Sequence, residues 1–447
     1  MSVEAPIQPP TQTTEISPQE PPAHEPKFGS IMWAILIVAA LAEISYGMVN
    51  FSATPIYIKA LKLDPSFIGI ASMSYLLCEA MLKAPFGVLG DRVGRKRLLV
   101  MAPIVSIFTS LATILVHHPI GLICLRAIDG MALAALWPSA FGIISDYSQP
   151  GQRAKAMSLF NISYMAGIAG APALGGAVDD IATHFFHLEG IQRNQPSFYA
   201  CAVLFAMTAI VAGLVLPGGK PPTHEIAINS TEELAAEGGF NLIEFRKMLG
   251  KMPSVLWLAF TIFMGIGLIM AYAKPFLMEH FQISGSEYGM LILVPAVIVG
   301  ALSFPLGTLG DKIGKVRAIR IGLGLASFGF WCALLFPMKF LLLVFGVVMG
   351  IGYVIAYPSV FAYVSESCPS NQKGAAIGAV GTAQGLGAIL GAILSSILIK
   401  HNAFKLLGFF PVPAGGIIFL GCGIMMFLSF LIAVFALKPH SAAMPCD

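Results

Sequence analysis

Charge is scarce in this 447-residue chain: Asp, Glu, Lys and Arg make up 11% of it, against 57% apolar residues. Soluble domains carry about a quarter charged residues, so an ordinary soluble fold is excluded. The spacing that metal sites require is missing too. The seven cysteines (Cys78, Cys124, Cys201, Cys332, Cys368, Cys422, Cys446) are scattered, with no C-x-x-C and no histidine at ligand spacing. They read as small apolar core residues. There is no nucleotide-binding glycine loop and no nucleophile–base arrangement, and His117-His118 reads as a solvated turn. No cofactor or metal is expected, and an intramembrane enzyme is the remote reading. No cleavable leader is visible, because the first apolar segment is membrane-length and is followed by more.

What the chain has instead is long apolar runs. A bilayer-crossing helix needs roughly 20 mostly apolar residues, and twelve such stretches lie near 31–50, 66–89, 98–116, 120–144, 155–178, 198–216, 254–273, 286–309, 319–337, 340–364, 374–399 and 408–437. The first and seventh patterns can run on past Pro55 and Pro275. Lipid offers the backbone no hydrogen bonds, so these spans are expected to be helices, and alternating barrel strands are absent. With both termini inside, seventeen Lys/Arg fall on the cytoplasmic side and seven opposite, leaving Lys83 and Arg126 inside the membrane. The positive-inside rule supports that orientation. The formal charge of +3 is therefore a topology signal and does not point to nucleic acid.

Residues 87–97 read GVLGDRVGRKR and residues 307–317 read GTLGDKIGKVR. The same offset of 220 matches Pro55 to Pro275, Gly69 to Gly289, Pro85 to Pro305, Asp91 to Asp311, and WPSAF at 137–141 to YPSVF at 357–361. One ungapped offset over more than a hundred residues marks a duplicated six-helix unit. Six is even, so both copies share a membrane polarity and are related by an axis along the membrane normal. A site between such halves suits alternating exposure to the two sides. The expected organisation is a disordered tail (1–29), a six-helix bundle (30–216), a cytoplasmic linker with an amphipathic helix (217–252), a second bundle (253–438) and a short tail (439–447).

The G-x-x-x-D-R-x-G-R-K-R string between the second and third spans resembles the signature loop of the major facilitator superfamily, and its copy, the central loop and the twelve spans match throughout. By composition, the glycines permit a tight turn and close helix approach, Asp91 suits a helix N-terminus or an Arg, and Arg92, Arg95, Lys96 and Arg97 hold the turn at an anionic surface. The resemblance implies a latch between the halves formed by Gly87, Gly90, Asp91, Arg92, Gly94 and Arg95, and more weakly by Asp311, Lys312 and Gly314. The competing reading is that these charges only anchor topology.

Ionisable residues inside spans default to function. They are Glu43, Glu79, Lys83, Arg126 and Asp129, and their repeat mates are Phe263, Val299, Ser303, Gly346 and Met349. On this reading, ion chemistry belongs to the N-terminal half alone. Glu79–Lys83 and Arg126–Asp129 are spaced to pair on their own helices, which leaves one carboxylate in excess. A desolvated carboxyl without a partner exchanges a proton near physiological pH, so Glu43 is the first candidate proton carrier and Asp129 the second. The rival is a structural Glu43–Arg126 contact across the bundle. Arg126 lies in R-A-I-D-G, similar to the R-x-x-x-G element of proton-linked members, although Asp129 stands where the family usually has Gln or another polar residue.

Glu43, Tyr46, Gly47, Asn50 and Thr54 recur at helical spacing and are expected to share a face; Phe263, Ile266, Gly267 and Met270 form its oily counterpart. Trp137, Tyr353 and Tyr357 are candidate aromatic surface, with plain helix packing as the alternative. A cavity polar on one wall and oily on the other suits an amphiphilic or cationic-lipophilic solute. GIAGAPALGG at 167–176 resembles the Gly-Pro element of proton-coupled exporters, with Ala171 in place of a glycine. It assigns Gly167, Gly170, Pro172, Gly175 and Gly176 to a hinge or a tight helix interface. The expected protein is an all-α, monomeric, multi-pass transporter of the cell membrane that exports a small solute against protons. The alternatives are an importer of a small organic acid or sugar, with Arg126 as the anion's partner, and a non-transporting sensor.

Overall fold

The computed structural model describes residues 28–147, 153–217, 252–270, 272–307, 309–336, 338–367, 373–406 and 410–437. The expected linker helix and almost all of both tails lie outside them. The described chain is helical apart from one hairpin. In order it forms α1 (Phe28–Gly47), a π-helical segment (Met48–Ala53), α2 (Thr54–Ala60), α3 (Ser66–Val93), α4 (Arg95–Leu115), α5 (Pro119–Tyr147), α6 (Arg153–Phe186) and α7 (Pro196–Val215). The second half forms α8 (Pro253–Met270), α9 (Ala273–Phe281), α10 (Gly285–Gly307), α11 (Leu309–Ile313), α12 (Lys315–Leu335), α13 (Lys339–Glu366), α14 (Lys373–Leu398), the hairpin strands β1 (Phe404–Leu406) and β2 (Phe410–Val412), and α15 (Ile417–Phe435).

Among the described residues, eleven helical stretches are long and apolar enough to cross a bilayer. The remaining span is α6, whose 34 residues rise about 50 Å at 1.5 Å each. The first span does run past Pro55, through the π segment to Ala60. The last span starts later than its apolar pattern suggests. Pro411 and Pro413 cannot donate to a helix, Gly415 turns with φ +73°, and residues 404–406 and 410–412 pair as antiparallel strands instead. Among the described residues, two three-residue strands are thus the one departure from an all-helical reading.

Two cores form, the first of which also takes in Leu268, Ile399 and Ile418 of the second half. Ile35, Val38, Tyr57, Leu136, Phe198 and Phe205 are buried in the first half, and Leu258, Ile319, Leu323, Val360 and Val380 form the second. Large apolar side chains such as Trp33, Phe108, Leu214 and Phe435 face outward, where a bilayer supplies the solvent they match.

Candidate functional site

The intramembrane charges of the first half fall into three groups. Arg126 and Asp129, one helical turn apart on α5, form an ion pair at 2.6 Å, and both are 1% exposed. Thr109 of α4 donates to Asp129 Oδ1, Arg126 Nη2 lies 3.5 Å from Thr113 Oγ1, and the Tyr46 hydroxyl shares a 2.8 Å hydrogen bond with Ser106. Three helices thus wrap this pair inside the first bundle. On α3, Lys83 pairs with Glu79 at 2.6 Å. Glu43 of α1 is buried against Gly167 of α6, and its Oε2 has no hydrogen-bond partner. Its charged neighbours are Glu79 and Lys83, so the alternative contact with Arg126 is not made. A side chain at position 167 would strike Glu43 Cβ, so the glycine makes the space that the carboxylate's stem occupies.

The signature string is a helix corner more than a loop. Gly87 and Gly90 lie within α3, which runs to Val93; the chain turns at Gly94 alone, at φ +106°, and restarts as α4 at Arg95. Gly314 repeats the corner at φ +92°. Such backbone angles favour glycine because it lacks a Cβ. Asp91 accepts from Arg95 Nε at 2.9 Å and lies 2.8 Å from Nη2, so the acid holds an arginine across the corner. Arg95 also lies over Gly142 of α5, where any side chain would displace its guanidinium. Arg92 and Lys312 are exposed. The Asp311 side chain lies outside the described residues.

Among the described residues, the hydrogen bonds, ion pairs and close glycine contacts that join the halves gather at the end opposite Gly94 and Gly314. Gly69 of α3 packs on Ser396 of α14, while Gly176 and Ala173 of α6 meet Gly285 and Gly289 of α10. Lys400 reaches Asp64 at 2.8 Å, Lys59 pairs with Glu279, and Ser286 N donates to Asp180 Oδ2 at 2.8 Å. Helix α6 runs unbroken through Pro172. Its small residues serve two faces: Gly167, Ala171 and Gly175 against α1 and the π segment, and Pro172, Ala173 and Gly176 against α10. Side chains small enough for backbones to touch are what close membrane interfaces use.

One expectation fails at this end. Lys274, one of the seven basic residues counted opposite the cytoplasmic side, is not on an outer loop: it is 2% exposed, bonded to Ser52 Oγ, with Nζ 4.0 Å from Asp179 of α6. Ion chemistry is therefore not confined to the N-terminal half. Pro275 is tolerated in the first turn of a helix, so α9 begins at Ala273 and carries Lys274 inside.

Of the expected oily wall, Phe263 and Ile266 line a cavity within the second bundle, whereas Gly267 packs on Ala388. This cavity of about 290 Å³ is lined by Phe263, Ile266, Phe330, Met349, Tyr353 and Tyr357 among others, with Gln384 the only amide. The Tyr353 and Tyr357 rings stack at 4.8 Å. Met270 is not in its lining. Two residues expected on the facing wall are placed elsewhere. The π segment breaks the 3–4 residue rhythm of the first span, and Tyr46 packs edge-on against Phe205 in the core. Trp137 is buried against Phe160 and Tyr164. Asn50 donates to the Tyr46 carbonyl at 2.9 Å, and Thr54 is buried without a partner for its hydroxyl. Sequence reasoning missed Tyr164, which lies in electrostatic reach of Glu43 and Glu79 on one side and of Tyr353 and Tyr357 on the other. Its signal was weak: one polar ring in the small-residue span 155–178.

Comparison with known proteins agrees with this geometry. The sequence profile described as Major Facilitator Superfamily matches residues 35–272 and 255–445. An uncharacterized MFS-type transporter of Methanocaldococcus jannaschii is 24% identical over 372 residues, covering 82% of this chain and 91% of that protein. The gentisate transporter of Corynebacterium glutamicum is 25% identical over 381 residues, 83% of this chain and 81% of its own. The crystal structure of a bacterial homolog of the human lysosomal transporter Spinster superposes with a TM-score of 0.70 at 18% identity, covering 93% of this chain and 96% of that one. With two matching helical bundles, paired glycine corners and a profile spanning nearly its whole length, the chain belongs to the major facilitator superfamily of transporters.

Proposed function

We propose that the protein exports a small amphiphilic solute in exchange for protons, with Glu43 as the proton carrier. The observation that carries this reading is the isolation of Glu43: of the intramembrane carboxylates of the first half, Glu79 and Asp129 each hold a cation, whereas Glu43 Oε2 is buried without a partner. Such a group exchanges its proton when water reaches it. Glu79, Lys83 and Tyr164 connect it electrostatically to the space between the bundles. The apolar cavity within the second bundle, with its two tyrosines and one glutamine, suits a largely apolar solute carrying few hydrogen-bonding groups. Asp129 is the second candidate carrier.

In this reading the Gly94 and Gly314 corners face the cytoplasm, both termini lie inside, the protein works as a monomer in the cell membrane, and the described state opens inward. The corners, with Asp91 holding Arg95, form the latch that closes that end in the opposite state. Uptake of an organic acid is the second reading, favoured by the gentisate transporter among the relatives. It is the weaker one because Lys83, Arg126 and Lys274 all have carboxylate partners, so an anion meets none of the three without a carboxylate already beside it. The test is transport in proteoliposomes under an imposed pH gradient. Export predicts flux opposite to the proton gradient that Glu43→Gln uncouples. Symport with the gradient, or coupling intact in Glu43→Gln, defeats the proposal.

A further inference from the structure

Asp179 and Lys274 form a buried contact between the halves that the coupling scheme does not use. Asp179 sits near the end of α6, and its Oδ1 accepts from Ser197 N at 3.0 Å, which fixes it to the first bundle. Lys274 belongs to the second bundle. Its ammonium crosses the boundary to Ser52 Oγ and stands 4.0 Å from Asp179 Oδ2, with the two side chains 2% and 10% exposed. The neighbouring residue, Asp180, accepts from Ser286 N at the start of α10 and lies 4.0 Å from Arg193.

The internal repeat shows that this arrangement is one-sided. The repeat mate of Lys274 is Thr54 (274 − 220) and that of Asp179 is Ile399 (179 + 220). The rims of the two seams do correspond: Asp64–Lys400 maps onto positions 284 and 180 (64 + 220 and 400 − 220), next to the contact between Ser286 and Asp180. Beneath similar rims, a buried acid and base are found, among the described residues, only on the side where α6 meets α9 and α10. A symmetric fold with an ion pair on one seam has gained something beyond closure.

A desolvated ammonium is tolerated only beside a partner, and removing the partner leaves an uncompensated charge. While Asp179 is ionised, Lys274 is held between the bundles. Once Asp179 is neutral, the ammonium is better placed in water, which it reaches only if this end opens. The other groups around Asp179 do not replace that control. Asp180 is occupied by Ser286 and Arg193, Cys201 of α7 is a thiol, and Glu287 of α10 accepts from Ser284 N in its own first turn at 2.8 Å. We propose that Asp179 is a second proton-binding site, distinct from Glu43, and that its ionisation state decides whether the halves are locked together at this end through Lys274. The proposal rests on the alternating-access part of the reading above and is independent of which carboxylate couples transport.

The test measures distances and needs no substrate. Spin labels at Lys62→Cys and Lys405→Cys, exposed positions on opposite halves at this end, report closure of the purified full-length protein across pH 5–9. The wild type moves from the short to the long distance as pH falls. Asp179→Asn favours the long distance at every pH, by about tenfold or more in the closed-to-open ratio. Lys274→Met reverses the pH response, because the lone Asp179 is then buried comfortably only when protonated, so acid closes the end. The exchanged pair Asp179→Lys with Lys274→Asp restores closure and excludes simple misfolding. An Asp179→Asn distribution matching wild type throughout, or a Lys274→Met response with the wild-type sign, would overturn the proposal. Because transport is not the readout, failure of the Glu43 assignment leaves this result standing.

Discussion

Lys59 and Glu279 are repeat mates, 220 positions apart, and they form an ion pair with each other. A residue meets its own mate only close to the axis that relates the two halves, so this pair places that axis between α2 and α9. The pair is exposed, and such contacts contribute about 0–1 kcal/mol; Lys59→Ala is expected to leave thermal stability within that range. As a reporter the pair is more useful. A reducible bifunctional thiol cross-linker joining Lys59→Cys to Glu279→Cys should stop transport by fastening this end, and release it on reduction. Full transport by the cross-linked protein would show that the halves do not part here.

The α6–α10 seam leaves no room for a side chain. A Cβ on Gly176 or Gly289 would collide with the backbone of the facing helix, whereas Gly300 of α10 has open space beside it. Gly289→Val is therefore expected to depopulate the state closed at this end, seen as increased cysteine labelling of the cleft, while Gly300→Ala labels like the wild type. Equal labelling of both variants would mean that the seam is not tight.

Arg126 and Asp129 are paired inside the first bundle, with Thr109 bonded to the acid and Thr113 beside the guanidinium. Losing one partner of a buried ion pair costs about 3–5 kcal/mol, while replacing both with apolar residues of similar size is often neutral. Arg126→Met alone should lower the melting temperature sharply, and Arg126→Met with Asp129→Leu should recover most of it. A double variant as damaged as the single one would instead point to a role in coupling.

At the rim, the hydrogen bond from Lys400 and those from Ser66 hold the Asp64 carboxyl down at about 2, below its ordinary 3.8. A carboxylate so depressed contributes stability that is complete above the ordinary value and is lost as pH falls through about 2. The Asp64–Lys400 contact is therefore constant between pH 5 and 9. Asp64→Asn should weaken closure equally across that range without changing the shape of the pH–transport curve. A changed shape would make Asp64 part of proton coupling.

The helices were legible because lipid forces every span to announce itself as a long apolar run, and the duplication was legible because its loops kept glycine and charge at one offset. The pairing of Glu79 with Lys83 and of Arg126 with Asp129 followed from helical spacing alone. Lys274 and Asp179 were missed for a geometric reason. Each stands at the ragged end of an apolar segment, where sequence cannot distinguish a flanking anchor from a buried contact made by two chain segments 95 residues apart (274 − 179). Tyr46 was misplaced because helical spacing groups residues on a face without saying whether that face meets a cavity or the bundle's own core, where Tyr46 packs on Phe205. Comparing the repeats would have helped, since a charged residue whose mate is Thr54 or Ile399 has no simple anchoring role.

The position of Lys59 opposite Glu279 also bears on ancestry. In a dimer of identical six-helix chains, whatever stood at that point would have confronted its own duplicate, lysine against lysine or acid against acid. Opposite signs became available there only once the two copies were separate sequences free to diverge, so this small bridge at the centre of symmetry is a mark of duplication followed by divergence.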